Sequence, residues 1–256
     1  MSGTEEPPAK RSKGPSRRVI VVANRLPVTI DLESNTINRS SGGLVSAMDG
    51  VADGDGSFCW VGWPGVGIEG DEEETYRRRL VDEYSYMPVF LSADEVTAYY
   101  DGFSNSTLWP LLHYMIPMAD FSSSFEVYRT VNEKFADAVQ AIAEEGDLIW
   151  IHDYHLFLLP AMLKARGLSQ KIAFFLHTPF PSYEVWRVHP NCVELVEGVL
   201  GADIIGFHTF GYLRHFKSTA LRLLGFNTID MMGGCFLMAS DGCWLLPIAS
   251  SASGCF

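Results

Sequence analysis

At 256 residues, 47% hydrophobic and 20% charged, the chain is long enough to bury one large core, and a mean hydropathy near zero reads as a soluble globular protein. Nineteen Lys and Arg against thirty-one Asp and Glu leave a formal charge of −12. That balance argues against nucleic acid or an anionic membrane as a partner, because both are bound by broad basic surfaces, and an anionic ligand must be met by a few placed cations.

Residues 1–17 are polar and rich in Pro, Lys and Arg with no apolar core, so they read as a disordered tail rather than a signal peptide or a span. The basic cluster at 10–13 reads as a solvated run before it reads as an import signal. Residues 18–23 (RVIVVA) are a continuous β-branched run, the pattern of a strand covered on both faces of a parallel sheet. Apolar runs at 58–61, 88–91, 148–152, 172–176 and 203–207 predict further strands. Val131, Phe135, Ala138, Val139 and Ile142 recur at helical steps, as do Leu213, Phe216, Ala220, Leu223 and Leu224. Strands alternating with such helices predict a Rossmann-like, doubly wound α/β sheet with ligands at the carboxyl ends of its strands.

Beyond Gly225 the texture changes. Residues 226–256 hold three of the five cysteines and one run, 244–248, that reads as a further strand; otherwise they are expected to form a poorly specified tail. Five cysteines, Cys59, Cys192, Cys235, Cys243 and Cys255, are odd in number and lack metal-ligand spacing, which fits a reducing cytoplasm with no zinc site and no disulfide framework.

Four polar or aromatic segments fall at predicted strand ends or helix starts. ANRLP (23–27) puts Arg25 directly after the first strand, where a guanidinium can fork two hydrogen bonds onto a phosphate; a surface ion pair is an equal reading. SSGGLV (40–45) places Gly42 and Gly43 at a helix start, suited to a phosphate, though an ordinary turn explains a glycine pair as well. WVGW (60–63), with Tyr99, Tyr100 and Trp109, offers flat apolar faces to a sugar ring, against core packing as the default for any one of them. The exits IHDYH (151–155) and FLHTPFP (175–181) place Asp153 and His177 after consecutive strands, where an Asp can accept from sugar hydroxyls and a His can donate to a ligand oxygen.

Taken together, ANRLPV, SSGGLV, WVGWPG, YYDGFSNSTLWPLLHY, YRTVNEKFAD, DLIWIHDYHLFLLPAML, FFLHTPFPS and ADIIGFHT, in this order across residues 19–224, resemble the trehalose-6-phosphate synthases, retaining glycosyltransferases of family 20 with the GT-B fold. In that family two Rossmann-like domains face each other, and glucose passes from UDP-glucose to glucose-6-phosphate in the cleft between them. The resemblance implies that residues 18–225 are the acceptor-binding domain. Arg25 and Tyr100 would address the phosphate, Trp63 (preferred over Trp60) and Trp109 would shape the pocket, and Asp153 would hold sugar hydroxyls. Gly42 and Gly43 would approach the donor diphosphate, and His177 would contact the transferred glucose; Asp153 and His177 are the residues implied in catalysis.

No metal and no cofactor beyond the UDP-glucose donor is implied. The family is thought to retain anomeric configuration without a protein nucleophile, which leaves positioning and leaving-group neutralisation as the main catalytic terms. The cations that neutralise UDP belong to the family's second domain, so this chain is expected to be inactive alone. A regulatory subunit that pairs with full-length synthase chains, as a homo- or hetero-oligomer, and another GT-B transferase stand as alternatives.

Overall fold

The structure, a computed structural model, describes residues 18–40, 58–115 and 124–226, together with the backbone of three short strands after them. The central sheet contains β1 (Val19–Arg25), β4 (Phe58–Trp63), β5 (Tyr86–Pro88), β6 (Leu148–His152), β7 (Lys171–Leu176) and β8 (Ile204–Phe207), then β9 (Ile229–Asp230), β10 (Leu237–Met238) and β11 (Trp244–Pro247). Their order is β5-β4-β1-β6-β7-β8-β11-β10-β9. Every pairing from β5 to β11 is parallel, and β10 and β9 close that edge antiparallel. A separate hairpin joins β2 (Val28–Asp31) to β3 (Thr36–Arg39).

Alternation along β1 shows why its run is apolar throughout. Ile20 and Val22 enter one core with Val61, Ile149 and Ile151, while Val21 and Ala23 enter a second with Trp60 and Leu80. The sheet is therefore covered on both faces, as a doubly wound fold requires. Helix α1 (Asp71–Tyr84) packs into the second core through Tyr76 and Leu80. The other core takes α4 (Phe125–Ile142), which buries Tyr128, Val131, Phe135 and Val139 along one stripe. It also takes α8 (Phe210–Leu224), which starts where Thr209 Oγ1 accepts from Tyr212 N–H at 3.3 Å and stops at left-handed Gly225.

Between α1 and α4 lie α2 (Ala93–Glu95), a π-helix (Val96–Leu108) and α3 (Trp109–Leu112). The wide turn is visible in the buried set Tyr99, Phe103, Ser104, Thr107 and Leu108, and in the Trp109 N–H donating to the Ser104 carbonyl five residues back. The smaller helices α5 (Leu159–Ala165), α6 (Tyr183–Trp186) and α7 (Cys192–Leu200) connect the later strands.

The strand expected at 88–91 is Tyr86–Pro88 instead. Pro88 has no N–H to extend the ladder, and after it only Val89 N–H still reaches the Gly62 carbonyl, at 2.9 Å. The run expected at 244–248 pairs parallel with β8, Trp244 opposite Ile204 and Pro247 opposite Phe207. Cys59 and Cys192 are free thiols, and among the described residues no helix is long and apolar enough to cross a membrane.

From β1 the chain moves outward through β4 to β5, then returns to place β6 on the other side of β1 and continues through β7 to β8. The direction reverses between β1 and β6. Such a reversal parts the connections above the strand ends and leaves a crevice there.

Candidate functional site

A cavity of about 300 Å³ opens at that reversal, lined by Ala23, Asn24 and Arg25 from β1, by His152, Asp153 and His155 at the exit of β6, and by His177 at the exit of β7. Arg25 is exposed, and its guanidinium lies 5.4 Å from the Trp63 ring centroid at the end of β4. No carboxylate among the described residues pairs with it.

Asp153 has a backbone that side-chain-bearing residues rarely adopt, φ 72° and ψ 170°. A buried lattice holds it there. Its N–H donates to the Phe175 carbonyl at 2.8 Å. Tyr128 Oη donates to the Tyr154 carbonyl at 2.7 Å, and the His155 carbonyl accepts from Asn132 Nδ2 at 3.1 Å and Tyr99 Oη at 3.3 Å. These bonds fix the residues on either side, so the strain is set by the fold. Its Oδ1 is buried without a hydrogen-bond partner. Burial pushes the Asp153 carboxyl up to about 6, against the backbone N–H groups of Tyr154 and His177 that favour the carboxylate.

The three cavity histidines are neutral at physiological pH. Burial lowers His152 to about 3, with His177 adding to it, and burial alone lowers His155 to about 3. His177 keeps an exposed edge, yet its crowded neighbours and then His208 bring it to about 4. The cavity wall therefore presents one cation, one carboxylate and neutral imidazoles that can both donate and accept.

Of the residues singled out in the sequence, Arg25, Asp153 and His177 line this cavity. Trp63, Tyr100 and Trp109 do not; they form a run of rings beside it. Trp63 contacts Tyr100 at 6.1 Å, and Tyr100 stacks on His155 at 5.6 Å and 14°. His155 meets Tyr154 at 4.0 Å, and Tyr154 meets Trp109 at 5.7 Å. Trp63 is 7% exposed with its indole N–H unpartnered, and Trp109 is 43% exposed. Trp60 belongs to the core on the other face of the sheet. Gly42 and Gly43 lie outside the described residues.

Asn24, His152 and His155 line the cavity without having been selected from the sequence, although each sits in a strand-exit segment quoted for its neighbours. A register reading could have found His155, two residues beyond Asp153 on the same exit. Asn24 has a structural bond, accepting from Tyr99 Oη at 3.0 Å. Among the described residues no group of three or more His, Cys, Asp or Glu could hold a metal ion.

The profile of "Glycosyltransferase family 20" matches residues 17–238. A relative from Emericella nidulans named "Alpha,alpha-trehalose-phosphate synthase [UDP-forming]" is 45% identical over 230 residues, covering 87% of this chain and 45% of its own length. An E. coli structure described as "Trehalose-6-phosphate from E. coli bound with UDP-2-fluoro glucose" superposes with a TM-score of 0.74 at 27% identity, covering 91% of this chain and 48% of that one. A Burkholderia xenovorans alpha,alpha-trehalose-phosphate synthase (UDP-forming) in complex with glucose-6-phosphate gives a TM-score of 0.70 at 29% identity, covering 91% and 49%. The chain spans less than half the length of the curated relatives it matches. With its fold and most of its length shared with these proteins, the chain belongs to glycosyltransferase family 20.

Proposed function

We propose that this chain forms the acceptor side of an α,α-trehalose-phosphate synthase, binding glucose-6-phosphate in the crevice between β1 and β6 for transfer of glucose from UDP-glucose, with release of UDP. In this reading residues 18–225 are the acceptor-binding domain. The observation that carries it is one cavity holding an unpaired guanidinium and a buried carboxylate with an unfilled oxygen. The names of the relatives, and the glucose-6-phosphate in the Burkholderia structure, support the same substrate.

Each end of a sugar phosphate has a matching group. The Arg25 guanidinium, backed by the Trp63 face, keeps its planar donors free to fork onto a phosphate. Asp153 accepts from sugar hydroxyls, and its unfilled oxygen makes a sugar lacking those hydroxyls a poor ligand. The ring run from Trp63 to Trp109 offers an apolar wall to pyranose C–H edges. Neutral histidines add donors without adding charge, so the phosphate is drawn to Arg25 alone among the cavity residues. Holding the acceptor hydroxyl on the face from which UDP leaves is then a matter of orientation, which lowers a barrier without a covalent intermediate on the protein. Gly42 and Gly43, toward the donor diphosphate, and His177, toward the transferred glucose, complete the assignment.

Calorimetry on the 256-residue chain tests it. Glucose-6-phosphate is expected to bind more tightly than glucose or inorganic phosphate, and Arg25→Ala to weaken it about 10- to 100-fold, the value of a charge-assisted pair. Undiminished binding in Arg25→Ala, or no preference for the sugar phosphate, contradicts the proposal.

A further inference from the structure

His152, the last residue of β6, is 2% exposed, and its Nδ1 lies 3.0 Å from Nε2 of His177, one residue beyond β7. Both imidazoles are neutral at physiological pH. A hydrogen bond between two neutral rings needs a proton on one of the two facing nitrogens and a lone pair on the other. Which ring supplies the proton decides what each presents on its far side.

Suppose His177 donates. His152 then accepts at Nδ1 and must carry its own proton on Nε2, an atom that is buried and has no partner. An N–H would be stranded in the core, and orphaned buried N–H groups are rarer than unfilled acceptors. Suppose instead that His152 donates. Its Nε2 is then an idle lone pair, and His177, accepting at Nε2, carries its proton on Nδ1. That nitrogen has no protein partner among the described residues, and it belongs to an exposed ring on the cavity wall.

We propose that His152 is a positioning residue that fixes His177 as the Nδ1–H tautomer, so that His177 presents a hydrogen-bond donor to an oxygen of the bound sugar. The arrangement fixes donor rather than acceptor character at this point without placing a charge there. His208, 5.6 Å away between ring centroids, makes no hydrogen bond to His177, and the Phe175 ring at 4.7 Å offers no proton. The selection therefore rests on His152. Only the identity of the contacted oxygen depends on the sugar-phosphate reading above.

The tautomer is read directly by long-range proton–nitrogen correlation on the ¹⁵N-labelled full chain at neutral pH without ligand. His177 is expected to show a protonated Nδ1 and a lone-pair Nε2. His152→Asn, whose amide nitrogen stands where Nδ1 stood and can donate, retains that pattern; His152→Phe shifts His177 toward the Nε2–H form that free imidazole favours. A protonated Nε2 in the wild-type chain overturns the proposal, as does an unchanged pattern in folded His152→Phe. If the Phe variant does not fold, the wild-type spectrum and the Asn variant still decide. No ligand is added, so a failure here is distinct from a failure of glucose-6-phosphate binding.

Discussion

The two ends of the same parallel sheet handle charged groups in opposite ways. At the amino ends of the strands the buried charges among the described residues are matched. Asp147, 6% exposed, accepts from Arg18 at 2.6 Å and from Glu144 N–H at 2.8 Å, and Arg18 also reaches the Ile142 carbonyl at 2.5 Å. Asp203 ties Lys164 at 2.9 Å, Lys171 at 3.3 Å and Ile172 N–H at 2.8 Å. At the carboxyl ends Asp153, His152, His155 and Trp63 keep buried polar atoms unfilled, and Arg25 has no ion-pair partner among the described residues. A protein interior tolerates such groups only at a cost, so their concentration at one end marks where a ligand completes the structure.

Breaking the matched end should cost the most stability and leave the ligand alone. Asp147→Ala leaves the half-buried Arg18 cation with only Glu144 at 3.7 Å and the Ile142 carbonyl, and is expected to destabilise by about 1–3 kcal/mol in chemical denaturation, with glucose-6-phosphate affinity unchanged in the folded fraction. The Arg18 hydrogen bond holds the Asp147 carboxyl below the usual range despite opposing desolvation. Its contribution is therefore present above pH 4 and lost as the pH falls through the depressed value.

The unmatched end should respond with the opposite sign. Asp153 titrates near 6 in the folded chain against 3.8 as a free side chain, so its ionised form is disfavoured by folding. The penalty is absent below about pH 4, builds between pH 4 and 6, and is complete above, at up to about 3 kcal/mol. Asp153→Asn should therefore raise Tm at pH 7.5 relative to wild type, lose that advantage at pH 4, and weaken glucose-6-phosphate binding at least tenfold. A lower Tm at pH 7.5 would show that the carboxylate is matched after all.

A smaller and sharper comparison uses two glycines with positive φ, Gly65 at 87° and Gly70 at 66°. A Cβ on Gly70 meets nothing within 4 Å, whereas one on Gly65 would stand 2.0 Å from an Arg25 guanidinium nitrogen. Both alanine variants should lose about 1–3 kcal/mol of stability to backbone strain. Only Gly65→Ala should also weaken glucose-6-phosphate binding, by several-fold, because the cation must swing off the Trp63 face. Equal affinities in the two variants would remove Gly65 from the site.

Much of this was legible from residue types. The β-branched run of β1 announced a strand covered on both faces, and HDYH and LHTPFP announced strand exits; β7 ends at Leu176, just before His177, and the prolines at 179 and 181 keep the strand from resuming. The hairpin β2–β3 and the highly charged α1 went unread, since short alternation and a helix with only two buried residues carry little apolar signal. The π-helix was not legible either, because its burial repeats at four and five residues and fits no ordinary helical pattern. Pairing was the least visible property. Asp147 and Asp153 are the same residue type six positions apart, and only the fold gives one an arginine and sets the other in a cavity wall.

The most direct test of that contrast follows the indole N–H signals of the six tryptophans in the ¹⁵N-labelled chain during titration with glucose-6-phosphate. Trp63 and Trp109 border the unmatched end, while Trp60 lies in the opposite core and Trp186 donates to the Cys192 carbonyl at 3.1 Å. The account predicts saturable shifts at Trp63 and Trp109, with Trp60 and Trp186 unmoved and the midpoint moved about 10- to 100-fold higher in ligand in Arg25→Ala. Shifts centred on Trp60 or Trp186, or none at millimolar ligand, would contradict a sugar-phosphate site at the carboxyl end of the sheet.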